Sequence, residues 1–292
     1  MSIIESLVQT QEFATLPPVA TKVLNMLEND DLDVRDIAEV IEKDASLTLK
    51  LLRVANSPLY ATRGEITSIQ QAIMNLGLNR LTNIVLGVSI FSKFLLSSQK
   101  EARQLMEKFW WHASCTGMVA KSLSDKLGVY FRESEFIGGL LHDIGKLAML
   151  QYDSSRYGRV VEMVQNHGAI DLEAEHDVFG ATHTEVGAEI ARLWKLPEDL
   201  TTVIVYHMQP SLAPAHKPLT AVVRLSALLC EVWGAGFFEG VKKLDLKQDE
   251  SWIVLTRELD DVKNMDVEIL TFELEKDFQK SSEFLKIIST EK

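Results

Sequence analysis

The chain has 292 residues, 46% hydrophobic and 25% charged, which is enough for a large core as one domain or two closely packed ones. Its net charge of −12 and pI near 5.1 exclude a nucleic-acid or anionic-membrane binder built on clustered Lys and Arg, though not a small basic pocket. Cys115 and Cys230 form no CxxC, Glu5 interrupts any signal peptide, and apolar uncharged stretches such as Leu81 to Ser92 are too short to span a bilayer. The expectation is a reduced, cytoplasmic protein with no membrane insertion.

Nearly every segment repeats apolar residues at helical spacing. Pro17 and Pro18 suit a helix start, with Val19, Val23, Met26 and Leu27 as one stripe. Asp33 can cap a helix carrying Ile37, Val40 and Ile41. Leu47, Leu51, Val54 and Ala55 mark the next helix, which stops at the Asn56-Ser57-Pro58 turn. Ser68 can cap Ile69, Ala72, Ile73 and Leu76, with Gly77 ending that helix. Leu81, Ile84, Val85 and Val88 continue the pattern, and a long helix is predicted from about Glu101 to Leu127.

The stretch "FIGGLLHDIGKLAML", Phe136 to Leu150, reads as one buried helix, yet it holds a His-Asp pair and three glycines. Each helical glycine costs about 1 kcal/mol relative to alanine, and a buried imidazole beside a carboxylate needs partners or a metal. Further on, "THTE", Thr182 to Glu185, is a capping box. Pro197 opens a helix with Leu200, Val203, Ile204 and His207 on one face, and Leu219 to Trp233 and Val267 to Ile288 close the chain. No segment alternates with a period of two, so the fold class is all-α; Phe237 to Lys263 is the least regular region.

Four histidines face inward from four different segments. His112 follows Leu105 and Phe109 at helical spacing, His142 shares a face with Gly138, Gly145 and Met149, His183 lies with Val186 and Ile190, and His207 completes the stripe from Leu200. His167, His176 and His216 fall near helix ends and read as solvated. Consecutive helical residues diverge by roughly 100°, so His142 and Asp143 can address one site only at a crevice between helices. Gly138, Gly139 and Gly145 would let neighbouring helices approach that crevice. Lys146, three residues after Asp143, could pair with it or contact a phosphate.

At these residues the chain resembles the HD superfamily of metal-dependent phosphohydrolases, in which a His, a His-Asp doublet and a later Asp ligate divalent metal. More closely, it resembles the HDOD domain (HD-related output domain) of bacterial signalling proteins. The resemblance starts at "LPPVATKVLNML" and runs through "KDASLTLKLLRVANSPLYATRGEITSIQQAIMNLG", where the family often has Asp-Pro and this chain has Asp44-Ala45. It takes in "GLLHDIGKLAML", "THTEVGAEIARLWKLPEDL" and "VIVYHMQP", roughly residues 13 to 235. It implies an HD-like helical bundle at 99–235, an N-terminal helical part of the HDOD domain at 1–98 and a C-terminal helical extension at 236–292.

Carried over by position, His112 matches the first superfamily histidine and His142 and Asp143 match the doublet. His183 and His207 match the additional histidines of the cyclic-dinucleotide phosphodiesterase branch. The final metal Asp falls at Ala227, Met208 replaces the second member of a His-His pair, and "HMQPSLAP" stands where that branch has Gly-Tyr-Pro. A hydrolytic site needs carboxylates for a hard metal and open positions for water. The expectation is therefore a vestigial site with no catalytic residue and no cofactor, holding little or no stoichiometric metal. A bound divalent Fe, Mn or Zn is the alternative.

The function expected from this resemblance is a non-catalytic signalling output domain. It would act through signalling-protein partners or a small nucleotide-like ligand, without direct nucleic-acid contact. The alternative is a metal-dependent phosphohydrolase or cyclic (di)nucleotide phosphodiesterase. The family's most specific block, Asp44 to Gly77, contains none of the inward histidines. Its polar residues Lys50, Arg53, Asn56, Arg63 and Gln70 could line a recognition surface, with Arg53 and Asn56 the leading candidates, or could cap and solvate a structural element.

Overall fold

A computed structural model describes residues 3–9, 16–27, 33–57, 60, 64–96 and 103–279; among them there is no strand. These residues fall into two compact units.

The described residues of the smaller unit, within 15–97, form helices in short succession. They are α2 (Pro18–Leu27), α3 (Val34–Glu42), α4 (Ala45–Ala55), α5 (Ile69–Leu76) and α6 (Leu78–Leu96), where α1 is Ile3–Gln9 of the larger unit. Local chemistry sets the boundaries. Asp33 accepts the Arg35 N–H and Asp44 the Leu47 N–H, so both act as N-caps. Ser68 caps α5, and Gly77, at φ 86°, ends it in a backbone conformation that side chains resist. Ile37, Ile41, Leu51, Val54, Ile69 and Ala72 form the centre of this unit.

The larger unit combines α1 with the described residues after 102. Its axis is α7 (Arg103–Leu127), which buries apolar residues on most of its circumference, as a central helix must. Around it run α8 (Ser134–Leu141), α9 (Ile144–Tyr152), α10 (Ser154–His167), α11 (Asp171–Phe179), α12 (His183–Trp194) and α13 (Glu198–Tyr206). Then come α14 (Lys217–Val232), α15 (Glu250–Glu258) and α16 (Val267–Phe278). The Thr182–Glu185 capping box forms in full at the start of α12. The region without periodicity, 237–263, is short 3₁₀ turns around α15, which explains its weak signal. Helix α16 lies on α7: Ser122 donates to Asp277 at 2.6 Å, and Phe278 packs beside Trp111 and Trp233. The rest of the predicted tail stripe, Leu285 and Ile288, lies outside the described residues.

One expectation needs correction. Phe136 to Leu150 is not a single helix: α8 ends at Leu141 and α9 begins at Ile144, with Asp143 at φ −97°, ψ 19° between them. The carboxylate therefore sits at the N-terminus of α9, where the helix dipole favours negative charge. Breaking the helix at the doublet is what turns His142 and Asp143 toward the same point.

The start of α8 also holds a buried acid. Glu135 has a side chain only 3% exposed and lies 3.8 Å from Lys121, which is taken at 2.7 Å by Glu133. Burial, then the Glu133 charge, pushes the Glu135 carboxyl up to about 7. An acid whose folded pKa is raised contributes stability fully below its unfolded pKa, near 4.5, and loses it as pH rises through about 7. Glu135→Gln should therefore melt higher than wild type at pH 8, with the gap closing toward pH 5. Parallel melting curves across that range would refute the assignment.

Candidate metal centre

The larger unit brings together all five histidine and aspartate residues singled out from the sequence. His112 comes from α7, His142 from the last turn of α8, and Asp143 from the break before α9. His183 is the first residue of α12, fixed by the capping box beside it, and His207 closes α13. All five are fully buried. His167, His176 and His216 are exposed, as their positions near helix ends suggested.

Each buried histidine is anchored through Nδ1. His112 lies 2.8 Å from the Ala235 carbonyl, His142 2.8 Å from that of Gly139, and His207 3.1 Å from that of Ile204. His183 Nδ1 lies 2.7 Å from Glu175 Oε2, which also accepts the His183 backbone N–H at 2.8 Å. These oxygens only accept, so Nδ1 carries a proton in all four rings and each ring, when neutral, presents a bare Nε2 lone pair.

The four Nε2 atoms surround the Asp143 carboxylate in two pairs. His142 and His112 lie 3.4 and 3.8 Å from Oδ2; His207 and His183 lie 3.4 and 3.5 Å from Oδ1. Within each pair the Nε2 atoms are 3.4 Å (His112–His142) and 3.2 Å (His183–His207) apart. Apart from the Lys146 ammonium, 3.2 Å from Oδ2, the carboxylate oxygens face these Nε2 atoms without a hydrogen bond, an arrangement that a further cation resolves. Ligating histidines characteristically donate their other ring N–H to a carbonyl or carboxylate, and these four do so. The donor set fits a divalent transition metal such as Zn, Fe or Mn. The expectation of an empty centre therefore rests on the residue at position 227, a buried alanine, and not on the histidines.

Electrostatics agree. Burial lowers the pKa of His112, His142 and His207, that of His142 to about 4, so these rings stay neutral. For His183 burial also acts downward, but Glu175 and its hydrogen bond turn the net shift upward. Asp143 is held well below the usual carboxylate range, against the effect of burial, with the Lys146 ammonium beside it. Lys146, only 1% exposed, is in ion-pair contact with Asp143 at 3.2 Å and Asp171 at 3.0 Å.

Several groups around the centre were not foreseen. Glu175 and Asp171 both lie on α11, and Arg224 on α14 pairs with Glu239, from the irregular segment after α14. The acid-rich "DLEAEHD" could have pointed to α11. Nothing in the periodicity could have found Glu239.

The glycines do what their positions suggested. A Cβ on Gly139 would lie 2.5 Å from Gly117 Cα on α7, and one on Gly145 would lie 1.9 Å from the His183 carbonyl oxygen. Gly138 faces Val203 and Val223 at 3.3 Å, a softer contact.

The candidates in the smaller unit diverge. Asn56 is committed to the backbone: its amide donates to Leu52 O and Ile66 O and accepts the Ile66 N–H at 2.8 Å. It staples the end of α4 to the loop before α5. Lys50 is buried and donates to Ser92 at 3.0 Å, so it is not part of an exposed surface. Arg53 and Gln70 are exposed. Arg63 lies outside the described residues.

The HDOD domain family profile matches residues 13–210. An HDOD domain protein of unknown function from Geobacter sulfurreducens shares the fold at a TM-score of 0.77 and 25% identity, covering 94% of this chain and 93% of that one. A candidate phosphohydrolase from Shewanella amazonensis SB2B gives 0.72 at 23% identity, with 98% of both chains covered. A candidate signal transduction protein from Marinobacter aquaeolei VT8 gives 0.69 at 20%, covering 99% of this chain and 62% of that one. An uncharacterized protein of Treponema pallidum (strain Nichols) is 27% identical over 210 residues, 71% of this chain but 40% of the relative, so the chain spans well under half that protein's length. No helix among the described residues is long and apolar enough to cross a membrane.

Proposed function

The chain belongs to the HDOD domain family, and on that premise we propose that it is a signalling domain that acts through its surface, with the His–Asp centre as a sealed, cation-holding core and not as a hydrolytic site. Fold relatives bear both a signalling and a phosphohydrolase assignment, so kinship alone does not choose between them. The observation that carries the reading is burial: His112, His142, Asp143, His183 and His207 have no exposed surface, and Lys146 has 1%. Hydrolysis needs a path for substrate and an open position for water.

His112, His142, Asp143, His183 and His207 would hold the ion, which would supply Lewis acidity and a cross-link joining α7, α8, α9, α12 and α13. The chain's own contribution is to fix the tautomers through the four Nδ1 anchors and to exclude water. Output then falls to surface residues, and among the described candidates of the Asp44–Gly77 block exposed Arg53 and Gln70 remain as partner contacts.

The test is metal analysis of the purified full chain after equilibration with Mn²⁺, Fe²⁺ or Zn²⁺, beside a phosphodiesterase assay on bis(4-nitrophenyl) phosphate and a cyclic dinucleotide. Bound ion with no turnover above the protein-free blank is the expected result. Turnover that disappears in His183→Ala would replace this reading with the phosphohydrolase one, and absence of bound ion would remove the cation-holding core.

A further inference from the structure

We propose that Glu239 is a metal ligand, and that it supplies from the segment after α14 the carboxylate that Ala227 no longer supplies from within it. The inference rests on the cation-holding reading above and adds a residue to it.

Three observations converge. The first is position: ligand atoms of His112, His142, Asp143 and Glu239 all lie within 4.8 Å of one another, and all four residues are buried. Two imidazoles and two carboxylates form a donor set suited to Zn, Fe or Mn.

The second is an unused oxygen. Glu239 binds Arg224 through Oε2, while Oε1 is buried without a hydrogen-bond partner, 3.8 Å from Lys146 Nζ. The Glu239 side chain is 1% exposed. A buried carboxylate oxygen without a partner is costly, and a shared ion with His112, His142 and Asp143 would satisfy it. Its placement is also built: Glu231 accepts the backbone N–H groups of Phe237 at 2.6 Å and Glu239 at 3.3 Å, folding the segment back onto α14. Gly236 leaves the room, since a Cβ there would meet the Glu231 carboxylate at 2.2 Å.

The third is charge. Four buried carboxylates, Asp143, Asp171, Glu175 and Glu239, face two basic side chains, Lys146 and Arg224. Carboxylates thus outnumber basic side chains around the centre, an imbalance that a divalent cation would reduce.

The experiment uses the full chain, stripped with chelator and dialysed against Mn²⁺, with bound Mn²⁺ measured by elemental analysis and electron paramagnetic resonance. Glu239→Gln should weaken binding at least about tenfold or remove one ion per chain, while circular dichroism stays that of wild type. Glu239→Asp keeps a negative charge for Arg224 but draws the oxygens back, and should weaken binding in the same direction. Wild-type Mn²⁺ binding in both variants, with binding lost in Asp143→Ala, would overturn the role of Glu239 and leave the cation-holding core standing. No Mn²⁺ on wild type would overturn both. Failure of both Glu239 variants to fold would mark Glu239 as the partner of Arg224 alone and also overturn the assignment.

Discussion

Gly145→Ala is expected to cost at least about 3 kcal/mol and to dismantle the His–Asp centre with it. Gly145 is the second residue of α9, and its added Cβ would lie 1.9 Å from the His183 carbonyl oxygen and 2.7 Å from the carbonyl carbon. Both are backbone atoms at the N-terminus of α12, so no rotamer change relieves the overlap. The helices would have to separate, and His183 would move away from Asp143 and His207. Two other glycines calibrate the effect. Gly138→Ala meets only methyl groups of Val203 and Val223 at 3.3 Å and should cost about 1 kcal/mol. Gly158, inside α10 with nothing within 4 Å of its would-be Cβ, should gain up to about 1 kcal/mol as alanine through helix propensity. Urea unfolding of the three variants at equal m-value would measure the series. A Gly145→Ala protein as stable as Gly158→Ala would show that α9 and α12 do not make the close contact on which the centre depends.

Much of this arrangement was legible in the sequence because it rests on local rules. Asp33, Ser68 and Thr182 are caps that advertise themselves by side-chain chemistry, and each accepts a backbone N–H of its helix. The four inward histidines were readable from 3.6-residue periodicity alone, since each shares a stripe with core residues. The break between His142 and Asp143 was not, because apolar periodicity runs straight through it and a single non-helical residue leaves no compositional trace. The Asn56 staple was hidden for a related reason: its partner, Ile66, is ten residues away and offers only backbone atoms. Glu239 was beyond reach. It sits in a segment with no regular structure, placed by Glu231 and Arg224 and not by a helix face. Residues positioned by tertiary contacts to irregular backbone have no period, and periodicity is the main signal a single sequence carries.

Replacing Asp143 is expected to have the other large effect, and comparing two replacements tests what the centre holds. Asp143→Ala leaves Lys146 without one of its two close carboxylates and removes the group that all four Nε2 atoms face, a loss of about 3–5 kcal/mol by analogy with breaking other buried charged pairs. Asp143→Asn is the sharper probe, because it keeps the shape and changes the chemistry. With no ion present, wild type sets bare Nε2 lone pairs against carboxylate oxygens at 3.4 to 3.8 Å. An asparagine amide would put N–H donors on one side of that conflict and partly relieve it. With an ion present, the carboxylate is a ligand, and the neutral amide is a poorer one for a hard cation. The sign of the Asp143→Asn effect therefore depends on the ion. The variant should melt below wild type in the presence of Mn²⁺, and near or above it after chelation. Thermal unfolding of both proteins with Mn²⁺ and with EDTA gives the four values needed. If the difference between variant and wild type is the same in both conditions, the carboxylate is not a ligand, and the buried centre is held together by Lys146 and its acidic partners alone.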